Sequence, residues 1–284
     1  MKKHVLIIGH GYVGAALAER LHGEGLSVTA INRSIDATPA YSLLEGDVSD
    51  ADSIASVKAG LSSPPDVIVH CASSGRGGAE AYRSVFIQGT QNLHAAFPGV
   101  PVIFTSSTSV YGQTDGSTVT ETSETEPDRE TSCLLVEAEK LVCSEGGTAL
   151  RLAGIYGPGR SIYLKRILEG TAAIEAGEVG RSVNQIHRDD AAGAIAYLIA
   201  NPQPGEIFNL SDDEPLSQRE CYERLAAFFE VPVPPEEPPD KDRKRAWTHK
   251  VVSNEKLKAL GWKPEYPSFL GALTKDERLV DSIR

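Results

Sequence analysis

One segment restricts this chain more than any other. Val5-Leu6-Ile7-Ile8 runs straight into Gly9-His10-Gly11-Tyr12-Val13-Gly14, and Val13, Leu17 and Leu21 then recur at four-residue intervals. The apolar run reads as a buried strand and the i, i+4, i+8 spacing as one face of a helix. A G-x-G-x-x-G between a strand and a helix is the turn that seats a dinucleotide pyrophosphate on a helix N-terminus. Gly9 permits the turn, Gly11 lets a ligand approach the backbone, and Gly14 lets the helix pack close to the strand. These glycines, with Tyr12 and Val13, are candidate cofactor contacts; the competing reading is a glycine-rich turn with no ligand.

Up to Leu152, short β-branched runs alternate with helical patterns, the arrangement of βαβ units around a parallel sheet covered on both faces. The expected strands are 5–8, 27–31, 42–46, 66–71, 101–106 and 148–152. The fold class expected is therefore α/β, a doubly wound Rossmann-type parallel sheet with a smaller C-terminal substrate-binding region. The first domain is expected over 1–160 and the second over 161–284, with 183–200 returning to the first. In that second part helices are expected at 161–169, at 189–200, after a Ser217/Glu220 capping box, and over SNEKLKALG before Gly261. The proline-rich VPVPPEEPPD reads as a linker or lid edge, and the Thr/Glu-rich 114–130 stretch as a surface loop.

Ligands in such sheets sit at the carboxyl ends of the strands. At the end of the second strand, where an acidic side chain commonly accepts from the adenosine ribose, stands Asn32, followed by Arg33. A guanidinium there can pair with a 2′-phosphate, so NADP(H) is favoured over NAD(H), unless Arg33 is a solvated loop cation. Asp47, with Val48 beside it, either accepts from the adenine amino group or caps the following helix. Cys71, Ala72 and Ser73 follow the fourth strand and complete the cofactor set.

With 39 acidic against 28 basic residues the formal charge is -11, which repels phosphate backbones, so nucleic acid is not an expected partner. Gly9 interrupts the first apolar run too early for a signal peptide or a membrane span, so a cytoplasmic protein with no membrane partner is expected. Cys71, Cys133, Cys143 and Cys221 are scattered without metal spacing, which supports neither disulfides nor a metal site.

Beyond the glycine turn, TSSTSVYG at 105–112, LRLAGIYGPGR at 150–160, IHRDD at 186–190 and IFNLSDDEP at 207–215 follow in order. Together they resemble the extended short-chain dehydrogenase/reductase family, also called the NAD-dependent epimerase/dehydratase family. The resemblance implies a cofactor domain, a smaller substrate region with the active site between them, a small-molecule substrate, anionic or nucleotide-linked, and a possible homodimer. It also implies that Ser107 orients the reacting oxygen.

The chain departs from the family's Tyr-x-x-x-Lys: with Glu139 aligned to the glutamate one turn beyond the lysine, Thr131 and Leu135 occupy the tyrosine and lysine positions. Lys140 lies about 140° further round the helix and does not replace the lysine. Phe86 stands where the family's helix often has asparagine. Remaining candidates are Tyr111 and His187 for catalysis, and Tyr156 and Arg160 for substrate binding; packed tyrosines and a hydrogen-bonded histidine are the alternatives. Arg181, Arg188 and the run Lys241, Arg243, Lys244 and Arg245 suit an anionic ligand or a solvated face. The function expected is an NAD(P)-dependent oxidoreductase or epimerase-like enzyme acting on a nucleotide-sugar-like or other carbonyl or hydroxyl substrate. The alternative is a non-catalytic NADP(H)-binding sensor.

Overall fold

The computed structural model describes residues 2–35, 37–75, 77–125, 129–177, 180–238 and 248–283. The chain forms two compact units: residues 1–110, 129–151 and 191–208 make the first, and residues 111–128, 152–190 and 209–284 the second. The segment from Ala191 returns to the first unit, and the chain leaves it after Arg151 rather than near 160.

The first unit is built on a seven-stranded sheet. Its strands are β1 (His4–Ile8), β2 (Ser27–Asn32), β3 (Ser42–Glu45), β4 (Val67–His70), β5 (Val102–Ser107), Thr148–Leu152 and Ile207–Leu210. Their spatial order is Ile207–Leu210, Thr148–Leu152, β5, β4, β1, β2, β3. The pairs β1/β2, β1/β4, β2/β3 and β4/β5 are parallel. Ala149 N–H donates to Glu206 O and Ala153 N–H to Leu210 O, so the last two strands also climb together. This is a doubly wound order, and its direction reverses at β1, which places the ligand-binding crevice of such sheets beyond the carboxyl ends of β1 and β4. All of β1 is buried, as a strand covered on both faces requires. Each of its apolar side chains contributes roughly 1.5–3 kcal/mol.

Helices α1 (Tyr12–Gly23) and α2 (Ala51–Gly60) bury Val13, Leu17 and Leu21, and Ile54 and Val57, respectively. Between α3 (Ala79–Tyr82) and α4 (Gly89–Ala96) the helix widens into a π-turn at Arg83–Gln88. His70 supplies a local reason: its buried ring reaches the π-turn with Nε2 3.0 Å from Val85 O. Desolvation lowers its pKa to about 4, so the ring is neutral near pH 7 and Nε2–H donates to that carbonyl. Helix α5 is Glu130–Ser144.

The second unit packs α6 (Ile162–Leu168), α8 (Gln218–Phe228) and α10 (Phe269–Lys275) around Tyr156, Leu164, Tyr222, Leu225, Phe269 and Leu273. Helix α7 (Arg188–Ala200) begins here, while α9 (Glu255–Ala259) and α11 (Glu277–Asp281) lie towards the C-terminus. Ser217 and Glu220 form the expected capping box on α8, and Ser161 caps α6. Two stretches expected as loops each supply a strand. Thr118–Val119 pairs with Val251–Val252, and Glu236–Glu237 in the proline-rich stretch pairs with Ile174–Glu175. Prolines there are tolerated because the ladder uses their carbonyls: Pro235 O accepts from Ile174 N–H. Among the described residues no helix is long and apolar enough to cross a membrane.

Candidate functional site

In the first unit the three glycines separate by cause. Gly9 has φ 97, and a Cβ there would lie 2.5 Å from Ala72 Cα. A Cβ on Gly14 would collide with the Gly9 carbonyl oxygen. The protein's own packing therefore accounts for both. Gly11 is the N-cap of α1 with φ -95, and a Cβ there would meet nothing within 4 Å among the described residues. Its glycine answers to no contact of the chain and fits the close approach of a pyrophosphate. The first turn of α1 carries no acidic residue, so nothing there opposes the positive end of the helix dipole.

Beside this turn, Arg33, Glu45, Gly46, Asp47, Ser53 and Ser56 line a hollow of about 370 Å³. Asn32 lies opposite Glu45 in the β2/β3 register and donates from Nδ2 to Ser34 O at 3.1 Å. Arg33 is exposed. Asp47 Oδ1 accepts from Ser49 N–H at 2.9 Å and Ser49 Oγ at 2.6 Å, which holds the turn into α2; the capping carboxylate itself is Asp50, accepting from Asp52 N–H. Val48 is buried and in reach of a Cβ placed on Gly89. Cys71 Sγ lies 3.4 Å from Gly9 O, and burial pushes its thiol up to about 12. Ser73 Oγ accepts from Gly75 N–H.

Along β5, strand alternation sends two neighbouring serines opposite ways. Ser106 is buried and donates to Glu139 Oε1 at 2.5 Å, while Ser107 is partly exposed and its Oγ accepts from Ser109 N–H at 3.2 Å. Glu139 in turn pairs with Arg151 at 2.7 Å. That inward anchor fixes the rotation of α5: Leu135, one turn earlier, is 4% exposed and Thr131 partly exposed, while Lys140 is exposed. Phe86 packs against His70, Tyr82 and Phe104 in an aromatic cluster.

In the second unit Tyr111 is wholly buried, its hydroxyl placed 2.8 Å from Asn209 Oδ1 and 2.9 Å from Thr120 O, so its proton is committed to protein acceptors. Tyr156 is also buried, edge-on to His187 and Phe269, and its hydroxyl finds no hydrogen-bond partner among the described residues. Arg160 is exposed after the Gly157 turn. His187 Nδ1 accepts from Asp189 N–H at 3.2 Å, which puts the proton on Nε2, 3.3 Å from Asp276 Oδ2. Desolvation lowers the pKa of His187 and favours its neutral form. His187, Asp189 and Asp276 have ligand atoms within 4.8 Å of one another. Arg188 and Arg278 already hold Asp189, and Arg278 also holds Asp276, so arginines neutralise this cluster. Lys241, Arg243, Lys244 and Arg245 lie outside the described residues.

Buried ionisable groups that the sequence reading did not single out include Asp190, Asp212 and Lys250. Asp190 accepts from Glu265 N–H and Tyr266 N–H, yet burial raises its carboxyl to about 6. Burial likewise holds Asp212 well above the usual carboxylate range. Lys250 is buried with its Nζ on Tyr111 O and Thr248 Oγ1. A lysine next to Val251 and Val252 looks like any strand-edge cation in sequence; only the fold removes it from water.

Residues 5–211 match the NAD dependent epimerase/dehydratase family. Over 283 residues the chain is 31% identical to Protein YeeZ of Escherichia coli (strain K12), covering 93% of this chain and 97% of that one. Over 248 residues it is 27% identical to a 3 beta-hydroxysteroid dehydrogenase/Delta 5→4-isomerase of Mycobacterium tuberculosis, covering 75% and 65%. The structure of the Thermus thermophilus UDP-glucose 4-epimerase in complex with NAD superposes with a TM-score of 0.80 at 21% identity, covering 99% of each chain, a likeness of fold.

Proposed function

This chain belongs to the NAD-dependent epimerase/dehydratase family, and from that premise we propose an NADP(H)-dependent oxidoreductase or epimerase acting on a carbonyl or hydroxyl carbon of a nucleotide-sugar-like small molecule. The observation that carries the cofactor reading is Gly11: two glycines of the fingerprint are accounted for by the chain's own packing, whereas a Cβ on the third would meet nothing among the described residues, which supports a ligand's close approach as its reason. Gly9 to Gly14 with the start of α1 would hold the pyrophosphate, Arg33 a 2′-phosphate, and Ala72 and Ser73 the crevice beyond β4. The bound dinucleotide supplies or accepts the hydride. Ser107, at the carboxyl end of β5 and turned away from the Glu139 anchor, would hold the reacting oxygen by donating to it or accepting from it.

A second reading, a cofactor-binding sensor, is favoured by Leu135, which fills the lysine position with a packed apolar side chain. Turnover decides between them. NADPH oxidation and NADP reduction measured against a panel of nucleotide sugars and small carbonyls should reveal a substrate whose kcat falls at least tenfold in Ser107→Ala. Tight cofactor binding with no turnover across the panel favours the sensor.

A further inference from the structure

Helix α5 carries no tyrosine at all, and Thr131 and Leu135 stand at the positions from which a phenol and a lysine would act. The segment packed against it does carry one. Helix α3 and the π-turn after it lie along α5, and Arg83 reaches Glu130, the first residue of α5, with Nη2 3.8 Å from Oε1. Tyr82 is the chain neighbour of one member of that contact and Thr131 of the other. The Tyr82 side chain is partly exposed, and its hydroxyl has no hydrogen-bond partner among the described residues. Packing orients the ring instead: it stands edge-on to Phe86, with centroids 5.1 Å apart and planes at 85°. Phe86 rests in turn on Phe104 of β5 and His70 of β4, at 5.6 and 6.2 Å, and His70 Nε2 holds the π-turn at Val85 O.

The height of Tyr82 above the sheet follows from connectivity. The segment from α3 to α4 joins β4 to its parallel neighbour β5, so it descends antiparallel to both strands. Tyr82, four residues before Phe86, stands one turn nearer the carboxyl edge, a rise of roughly 6 Å. β5 climbs by about the same amount from Phe104 to Ser106. Tyr82 is therefore level with the end of β5, on the face that carries Phe104 and Ser106, while Ser107 turns to the opposite face.

We propose that Tyr82 is a catalytic residue, the proton donor of this chain. Tyr82 and Ser107 flank the edge of β5 from its two faces, so an oxygen held by Ser107 there comes within reach of the phenol. As a carbonyl carbon accepts the hydride, the C=O π pair moves onto oxygen, which takes the Tyr82 proton; the phenolate regains a proton from water, to which the side chain is open. Oxidation of a hydroxyl runs the same transfers backwards. The inference rests on the proposed activity and gives it an acid–base group on a helix other than α5.

The test has a geometric and a chemical arm. In the full chain, deuterated except at tyrosine rings and saturated with NADPH, the nicotinamide C4 protons should show a nuclear Overhauser contact with a tyrosine ring, and Tyr82→Phe should abolish it. With a substrate from the nucleotide-sugar and carbonyl panel, Tyr82→Phe should lower kcat at least about 100-fold. KM and NADPH affinity should stay within about twofold, since the change removes one oxygen that has no partner among the described residues. A tyrosine that serves only to pack on Phe86 would leave kcat unmoved. The proposal is overturned by bound NADPH without the contact, by a contact that persists in Tyr82→Phe, or by a kcat within about threefold of wild type in that variant. If the panel yields no turnover, the contact decides alone. Failure to bind NADPH refutes the cofactor reading and this inference with it, whereas binding without the contact refutes only the role of Tyr82.

Discussion

Glu139 and Arg151 form a two-pronged ion pair in the interior of the first unit: Arg151 Nη2 lies 2.7 Å from Oε2, Nε 3.1 Å from both carboxylate oxygens, and the side chains are 1% and 4% exposed. Ser106 Oγ adds a third donor from β5. The pair ties α5 to the strand Thr148–Leu152, and with it the rotation that places Leu135 inward and Ser107 on the other side of β5.

Removing one member of such a pair leaves the other charged and buried. Glu139→Gln, which keeps shape and loses charge, should cost about 3–5 kcal/mol, whereas Glu139→Leu combined with Arg151→Met should recover most of that loss. Urea unfolding of the single and double variants measures the coupling. A single variant within about 1 kcal/mol of wild type would show that the pair does not hold α5.

Asp190 makes a prediction about pH. Its carboxyl is held at about 6 by burial, against about 3.9 in an unfolded chain. Between pH 4 and 6 the folded protein keeps a proton on Asp190 that the unfolded chain has released, so the contribution of this group to stability falls as pH rises across that window, by at most about 3 kcal/mol. Asp212 acts in the same direction, whereas His70 and His187, held neutral by burial, act oppositely within the same window, and Asp189 and Asp276, held low, act oppositely below it. Asp190→Asn should lose about 1 kcal/mol for one of its two backbone bonds, and the difference in unfolding midpoint between wild type and variant should shrink as pH rises from 4 to 6. Parallel curves for wild type and variant would rule out Asp190 as the source of the slope.

The sheet was legible because β-branched runs and their glycine ends encode buried parallel strands locally; all six expected strands formed, shifted by a residue or so. Ile207–Leu210 was not read as a strand, because only its place at the sheet edge beside Thr148–Leu152 makes it one. The pairing of Thr118–Val119 with Val251–Val252 joins segments more than 130 residues apart, which no local pattern reveals. Of the candidate site, the glycine turn could be read directly, since Gly9 and Gly14 answer constraints of the local backbone. The burial of Tyr111 and Lys250 could not: a tyrosine after the Ser107 segment reads equally as a catalytic or a packed side chain, and the surroundings of the two come largely from Asn209 and Asn184, remote in sequence.

Gly11 separates ligand binding from folding. Its backbone angles are open to alanine and a Cβ would meet nothing within 4 Å among the described residues, so Gly11→Ala should leave the unfolding midpoint within about 0.5 kcal/mol of wild type. The same methyl would stand where a pyrophosphate approaches, and NADPH affinity should fall at least tenfold. Gly14→Ala, whose Cβ runs into the Gly9 carbonyl, should lose stability as well. Calorimetric titration beside urea unfolding distinguishes the two; unchanged NADPH affinity in Gly11→Ala would remove the case for a pyrophosphate at this turn.

Cofactor choice turns on the end of β2. Asn32 presents an amide already donating to Ser34 O, so no carboxylate at that position repels a 2′-phosphate, and Arg33 is exposed on the wall of the hollow it shares with Ser53 and Ser56. Glu45 and Asp47 share that wall, and Asp47 is engaged with Ser49. A charge-assisted bond from Arg33 is worth about 1.5–3 kcal/mol, so Arg33→Ala should weaken NADPH binding roughly 10- to 150-fold and barely alter NADH. Raising the salt concentration should narrow the NADPH advantage of the wild type, because the pair is solvent-exposed. Titration of both cofactors into both proteins decides it, and equal losses for NADPH and NADH would mean that Arg33 does not read the 2′-phosphate.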